Sequence, residues 1–254
     1  MIRLFASLSL AAAIAFAGVC GWQTRALAQP SGFNEAQVGA IEQIMRDYLM
    51  ENPEILREVL SALEQKESRE RAEKVAGAIE EHRGSLLDAP ASMVLGNPDG
   101  DVTLVEFFDY NCGYCRRAMP DLMALIETDE NLRVVLKEFP ILSEDSVHAA
   151  RASVAAARQG KYLDFHSRML AAKGTSDEAQ ALRVAADLGL DLERLRADMA
   201  APETQELIAD NQKLASNIGI EGTPAYIIGT TLVPGAIGLE GLRQVIEEAR
   251  AAIN

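Results

Sequence analysis

Two cysteines define the chemistry this chain can do. Cys112-Gly113-Tyr114-Cys115 sets two thiols three residues apart, a spacing that lets the sulfurs close a disulfide or act in turn on another one. The motif follows an apolar run at residues 102–108, Val-Thr-Leu-Val-Glu-Phe-Phe, and opens a stretch with a helical apolar pattern through Ala118, Leu122 and Leu125. Unpaired backbone N–H groups and the dipole at a helix N-terminus favour negative charge, and the thiolate is the attacking species in disulfide exchange. The placement predicts Cys112 as the exposed nucleophile and Cys115, one turn further in, as the resolving thiol. The pair is also half of a zinc site, but structural zinc takes four ligands. His82, His148 and His166 offer no paired-ligand spacing, and they read as surface or helix-face residues.

Two further features belong with the pair. Glu106 lies six residues before Cys112 inside the apolar run. A carboxylate there is costly unless it has a partner or a task, and burial raises its pKa toward that of a working base. Lys137, on the next strand-like run at residues 132–139, is the candidate partner. Gly222-Thr223-Pro224 precedes a second β run, Ala225-Tyr226-Ile227-Ile228. Arg116 and Arg117 follow the motif, either supporting the thiolate or simply solvated.

The elements that must position these residues form an α/β pattern. Strand, helix and strand at 102–139 are followed by an Ala-rich helical region at 144–215 with breaks near Gly160, Gly174 and Gly189. A hairpin around Gly229 and a final helix at 239–253 complete a single sheet with a helical insertion. Upstream, Val38, Ile41, Met45, Tyr48 and Leu49 recur at helical steps. Asn52-Pro53-Glu54 punctuates the chain, and Ile55, Leu56, Val59, Leu60 and Leu63 line a second helix. Residues 65–74 are almost wholly polar and read as a solvated helical spacer, with Glu67–Arg71 and Glu70–Lys74 as favourable pairs. A unit of this size rarely buries enough surface to fold alone. The expectation is an oligomerisation arm; an extension lying on the catalytic domain is the alternative.

The chain begins Met1-Ile2-Arg3, continues with an apolar run at residues 4–19, and offers Ala26-Leu27-Ala28 as a cleavage site. This reads as a secretory signal peptide; the run is short for a membrane span, and Val19 is bulky for a lipoprotein signal at Cys20. The expected division is 1–28 signal peptide, 29–88 helical arm and spacer, and 89–254 catalytic domain. Cleavage after Ala28 removes Cys20 and leaves only the close pair, in an oxidising compartment where structural disulfides are common. The pair therefore reads as used in chemistry rather than as a staple. The net charge of −14 becomes two units more negative without Arg3 and Arg25, which argues against nucleic acid and anionic membrane as partners.

With Glu106-Phe107-Phe108 before the cysteines, the helical insertion and Thr223-Pro224, residues 93–254 resemble the thioredoxin superfamily, in its exported DsbA-like branch. Cys-Gly-Tyr-Cys with Thr before the proline is similar to the disulfide isomerase pattern of the DsbC type. The helical N-terminal arm resembles the ScsC group. The resemblance implies a thioredoxin fold, a cis bond at Pro224 facing the cysteines, and Thr223 presenting backbone groups to an extended client segment. Gly113 and Tyr114 complete the implied substrate-contacting set and tune the direction of exchange. An acid at the place of Glu106 assists proton movement at the inner cysteine in similar proteins. The implied function is periplasmic disulfide isomerisation or reduction on misfolded exported proteins, by a homo-oligomer kept reduced by a membrane redox partner. It needs no cofactor beyond the redox-active pair Cys112–Cys115, and no metal. A DsbA-like dithiol oxidase and a copper(I)-binding protein are the alternatives.

Overall fold

A computed structural model describes residues 32–253; the expected signal segment lies outside them. The chain divides into two compact units between Val59 and Leu60.

In the first unit, helix α1 (Glu35–Glu51) begins at a capping box. The Asn34 side chain accepts the Gln37 N–H, and the Gln37 side chain accepts the Asn34 N–H, both at 2.9 Å. These bonds satisfy two otherwise orphaned donors. Asn52 closes the helix, and α2 (Glu54–Glu81) starts directly after Pro53. No residue of α1 is buried, and Ile44, Met45, Tyr48, Leu56 and Val59 all stand exposed.

The second unit is built on a sheet of five strands: β1 (Val94–Gly96), β2 (Val102–Phe108), β3 (Leu132–Glu138), β4 (Ala225–Ile228) and β5 (Thr231–Pro234). The order is β1-β3-β2-β4-β5; β2 and β3 are parallel and every other pairing is antiparallel. β2 and β3 are joined by α4 (Gly113–Thr128), the crossover that a parallel pair requires. Between β3 and β4 come α5 (Glu144–Ala157), α6 (Tyr162–Ala171), α7 (Glu178–Asp187), α8 (Leu192–Ala200) and α9 (Pro202–Ile218); α10 (Gly238–Ile253) ends the chain. The glycine breaks fall where the sequence predicts. The break between α8 and α9 falls instead at Ala201-Pro202, because proline is suited to the first helical position.

Strand parity distributes the core. Leu104 and Phe108 of β2, Val134 and Leu136 of β3, and Tyr226 and Ile228 of β4 face one apolar layer with α4 and the insertion. Val105, Phe107, Val135, Ala225 and Ile227 face a second layer that takes in Ile79, Leu86, Leu214 and Ile218. β2 is therefore buried on both faces, as its continuous apolar run requires. The end of α2 and the short α3 (Arg83–Leu87) belong to this second layer. Arg133 donates to the Leu87 carbonyl at 3.0 Å and Lys137 to the Ser85 carbonyl at 3.0 Å.

Candidate active site

Cys112 is the N-cap of α4, and its sulfur accepts the Cys115 backbone N–H at 3.3 Å. The strand end and helix start are dictated by one turn, in which the Cys112 N–H bonds the Asp109 carbonyl at 3.0 Å. On its other side the Cys112 thiol donates to the Thr223 carbonyl at 3.1 Å. The Thr223–Pro224 bond is cis, and β4 starts immediately afterwards, so the sheet carries both halves of the site on adjacent antiparallel strands.

These neighbours set the sulfur's charge. The Cys112 pKa falls from its ordinary 9.0 to about 5, first through a hydrogen bond from the Cys115 thiol, then through Thr223 and the backbone N–H groups of Cys115 and Tyr114, while burial opposes them. The helix terminus thus contributes, but the second thiol leads. The Thr223 hydroxyl lies near enough to favour the thiolate, although it has no partner of full hydrogen-bond geometry. Cys115 moves the opposite way, held far above its ordinary value by the same bond to Cys112, by burial and by Glu106.

Cys112 was expected to be exposed, yet it is only 5 % exposed. Its side chain turns back to cap the helix and touch Thr223, so only a small part of the residue meets solvent. Tyr114 is the motif residue that stands out, 61 % exposed, with the Arg117 guanidinium 4.4 Å from its ring centroid. Tyr114, Thr223 and Pro224 line a groove of about 640 Å³ together with Ile220, Leu232 and Pro234. Gly113 is not part of that lining; it is the first residue of α4.

Glu106 is buried on the cysteine-facing layer, 5 % exposed. Burial, then the charge of Cys112, raises its pKa from 4.5 to about 8, with the Tyr226 hydroxyl pulling slightly the other way. Tyr226 is its register partner on β4. Lys137 is not its partner. Glu106 pairs in register with Leu136, which puts Lys137 on the opposite face of the sheet, bonded to the carbonyls of Ser85 and Asp88. Its pKa falls to about 8 because it is buried.

Other expectations are corrected as well. Arg116 is neither free nor beside the thiolate: it donates to the carbonyls of Tyr110, Ala172 and Gly174 and to the Ser176 hydroxyl. It ties α4 to the loop between α6 and α7. Of the two places expected for the histidines, surface or helix face, His166 takes the helix face, turned inward on α6. It is fully buried among Phe108, Tyr110 and Tyr162, and burial pushes its pKa down to about 3. Its position one turn from Tyr162, within the run Tyr162, Phe165, His166, Met169, Leu170, is the signal that places it on the apolar face of α6.

Three polar residues around the motif were not singled out in the sequence. Asp109 accepts backbone N–H groups from Asn111, Ile141 and Leu142 at 2.7, 2.9 and 3.0 Å. The Asn111 side chain donates to the Ser146 hydroxyl at 3.1 Å and accepts the Ser176 N–H at 2.8 Å. Glu138 accepts the hydroxyls of Tyr162 at 3.2 Å and Tyr110 at 3.4 Å, and Tyr110 in turn lies 2.7 Å from Ser153 and 3.1 Å from His166 Nδ1.

Comparison with known proteins agrees with this architecture. The family described as DSBA-like thioredoxin domain matches residues 103–247, and the copper resistance protein ScsC N-terminal domain matches residues 37–70. A thioredoxin-like oxidoreductase from Silicibacter pomeroyi DSS-3 is 47 % identical, covering 66 % of this chain and 98 % of that one, with a TM-score of 0.65. Proteus mirabilis ScsC in a transitional conformation is 29 % identical over 87 % of this chain and all of that one, with a TM-score of 0.64. A Na(+)/H(+) antiporter, NhaA 1 of Salinispora arenicola, is 31 % identical over 65 % of this chain. The chain spans only 26 % of that relative's length, and among the described residues no helix is long and apolar enough to cross a membrane. A strand–Cys-Gly-Tyr-Cys–helix junction, a facing cis-proline loop and a helical insertion, matched from residue 103 to residue 247, make this chain a member of the DSBA-like thioredoxin-domain family.

Proposed function

We propose that this protein carries out thiol–disulfide exchange on exported protein clients, with Cys112 as nucleophile and Cys115 as resolving thiol. One observation carries the reading: a single sulfur, at a helix N-terminus and against the cis-proline loop, has its pKa drawn down to about 5 while its neighbour's is driven up. A thiolate beside a buried thiol attacks the client disulfide first; the buried thiol then bonds to it and displaces the client sulfur. Glu106, its pKa raised by burial, takes the Cys115 proton when the mixed disulfide resolves. Thr223, Pro224 and Tyr114 hold the extended client segment beside the sulfur.

Isomerase or reductase is the direction proposed. Residues 29–88 serve as arm and spacer, 89–254 as catalytic domain, and 1–28 as the export signal to the periplasm. Most of the apolar stripe of α1 and of the first half of α2 stands exposed in the described residues, Ile44, Met45, Tyr48, Leu56, Val59, Leu60 and Leu63 among it, and helical stability in proteins comes mainly from packing of such a face. Copies of the chain cover one another there, as the similarity of residues 37–70 to ScsC supports, and several sites around one space retain a misfolded client by effective concentration. A membrane redox partner keeps the pair reduced. The low Cys112 pKa also favours a second direction, since a pair whose reduced form is stabilised is an oxidant.

Refolding of a scrambled multi-disulfide protein separates the two. Recovery of client activity at a catalytic rate, lost in Cys112→Ser, is the expected result; oxidation of reduced client without unscrambling gives the second direction. Exchange that survives Cys112→Ser overturns the site. Copper(I) titration of the reduced pair tests the metal-binding alternative. Deleting residues 29–65 is expected to give a monomer by solution mass, and an unchanged mass removes the arm's role.

A further inference from the structure

Resting on the exchange reading above, we infer that Asn111 is a positioning residue for the attacking sulfur: its side-chain amide ties the turn that sets Cys112 at the helix cap to Ser146 and Ser176 of the helical insertion. The turn runs from Asp109 to Cys112. The Asp109 carbonyl accepts the Cys112 N–H at 3.0 Å, and Asp109 Oδ1 accepts the Asn111 N–H at 2.7 Å. Its first residue is anchored through Oδ2, which takes the Ile141 and Leu142 N–H groups. The end beside the cysteine is anchored by Asn111. Its Oδ1 accepts the Ser176 N–H at 2.8 Å, and its Nδ2 donates to the Ser176 carbonyl at 3.2 Å and to the Ser146 hydroxyl at 3.1 Å. The amide thus meets both backbone groups of one residue, as a neighbouring strand would, and uses its acceptor and both its donors. Ser146 and Ser176 are wholly buried, where a lost partner costs more than a formed bond contributes, so the anchor is a firm one.

Ser176 serves both flanks of the redox pair. Its hydroxyl donates to the Tyr110 carbonyl at 3.4 Å on one side and accepts the Arg116 guanidinium at 2.9 Å on the other. Asn111 is peptide-bonded to Cys112, so a shift of its backbone passes directly to the cap. Cys112 has extended backbone there, φ −78° and ψ 113°. That conformation turns its sulfur back to the Cys115 N–H at 3.3 Å and across to the Thr223 carbonyl at 3.1 Å. Hydrogen bonds weaken steeply as their angle departs from linear. A cap that rocks by a small angle keeps its helix and loses the N–H groups that hold the thiolate.

The test uses the full reduced chain and follows Cys112 across pH by thiolate absorbance and by iodoacetamide alkylation. Asn111→Ala removes the amide and leaves the backbone of the turn. Loosening a charge-assisted hydrogen bond at the sulfur is expected to raise the Cys112 midpoint by about one unit. Alkylation then falls roughly fivefold at pH 5 and stays close to wild type at pH 8, where the sulfur is ionised in both proteins. The titratable groups around the sulfur, Cys115 on α4, Glu106 on β2 and Tyr226 on β4, are untouched by the substitution. Lys137→Met is the control for lost stability alone, since that side chain lies on the other face of the sheet; its Cys112 midpoint is expected to stay. Ser146→Ala deletes one partner of the amide and keeps the rest, so it decides the matter should Asn111→Ala fail to fold; a smaller rise in the same direction is expected. An unmoved or lowered midpoint in the variant that folds, or an equal rise in Lys137→Met, overturns the assignment. A wild-type chain that titrates near 5 yet forms no mixed disulfide with a client overturns the exchange reading instead.

Discussion

The Thr223 carbonyl accepts the Cys112 thiol at 3.1 Å, so the loop that precedes β4 and the sulfur at the start of α4 are in direct contact across the sheet. The same residue's hydroxyl favours the thiolate. Thr223→Val keeps the shape and removes only the hydroxyl. The Cys112 titration, followed by thiolate absorbance, is expected to have its midpoint near 5 in the wild type and a higher one in the variant. Alkylation at pH 5 should fall roughly twofold to fivefold with the thiolate fraction. An unmoved midpoint would show that the hydroxyl does nothing and that the Cys115 thiol and the helix N–H groups carry the whole effect.

Glu106 acts on Cys115 in two opposed ways. Its charge disfavours a second anion beside it, while its basicity removes the proton. General base catalysis contributes about 10²–10⁴-fold, which outweighs a single through-space charge effect at a site already buried. Glu106→Gln is therefore expected to slow resolution of a mixed disulfide by tenfold or more. The sign with pH follows from its raised pKa. In the mixed disulfide the Cys112 charge is gone and burial alone holds the carboxyl up, so the wild-type rate rises as pH passes through a midpoint above 4.5 and below about 8, and the variant loses that limb. A faster variant would mean that charge repulsion, not proton transfer, dominates.

The redox motif and the elements around it were legible because they depend on local order: an apolar run, Cys112 at a helix start, a proline before a second β run. Contacts fixed by register were not. Placing Lys137 beside Glu106 assumes that neighbouring strands offer both residues to one face, and the parallel pairing of Glu106 with Leu136 reverses that. Asp109 and Arg116 are ordinary polar residues by type. Their importance comes from the loops at 141–142 and 172–176 that fold back on them, and separations of 32 to 60 residues leave no local trace. β1 was missed for another reason, since three residues carry too little pattern to declare a strand. His166 was legible in principle, as the polar member of an apolar helical stripe.

Sheet parity makes Lys137 a stability residue and not a catalytic one. Its ammonium holds the Ser85 and Asp88 carbonyls, fixing α3 to the second layer of the core. Lys137→Met keeps the stem and deletes the bonds. A loss of about 1–3 kcal/mol is expected, from carbonyls left with fewer partners, measured by urea unfolding. The Cys112 titration should be unchanged, because the ammonium faces away from the sulfur. A shift in that titration would put Lys137 back on the active-site face.

Glu138 lies on the same face as Glu106, two positions further along, and shares its fate: burial raises its pKa from 4.5 to about 8, although Ser153, Tyr162 and Tyr110 hydroxyls partly offset it. A carboxyl that keeps its proton in the fold but loses it when unfolded stabilises fully below about 4.5, and that stability drains away as pH rises through about 8. Glu138→Gln offers the same acceptor to both tyrosines and has no proton to lose. Near pH 5 the two proteins should differ by less than about 1 kcal/mol, since one hydrogen-bonded neutral group replaces another. From there the variant is expected to gain steadily on the wild type up to about pH 8. His166, buried next to Tyr110, loses its charge well below this range in the fold, and it titrates alike in both proteins, so it cancels from the difference. The measurement is urea unfolding of the disulfide form, in which Cys112 no longer titrates. A stability gap that stays constant across the range would mean that Glu138 is already ionised in the fold, and that the tyrosine hydroxyls hold a carboxylate rather than an acid.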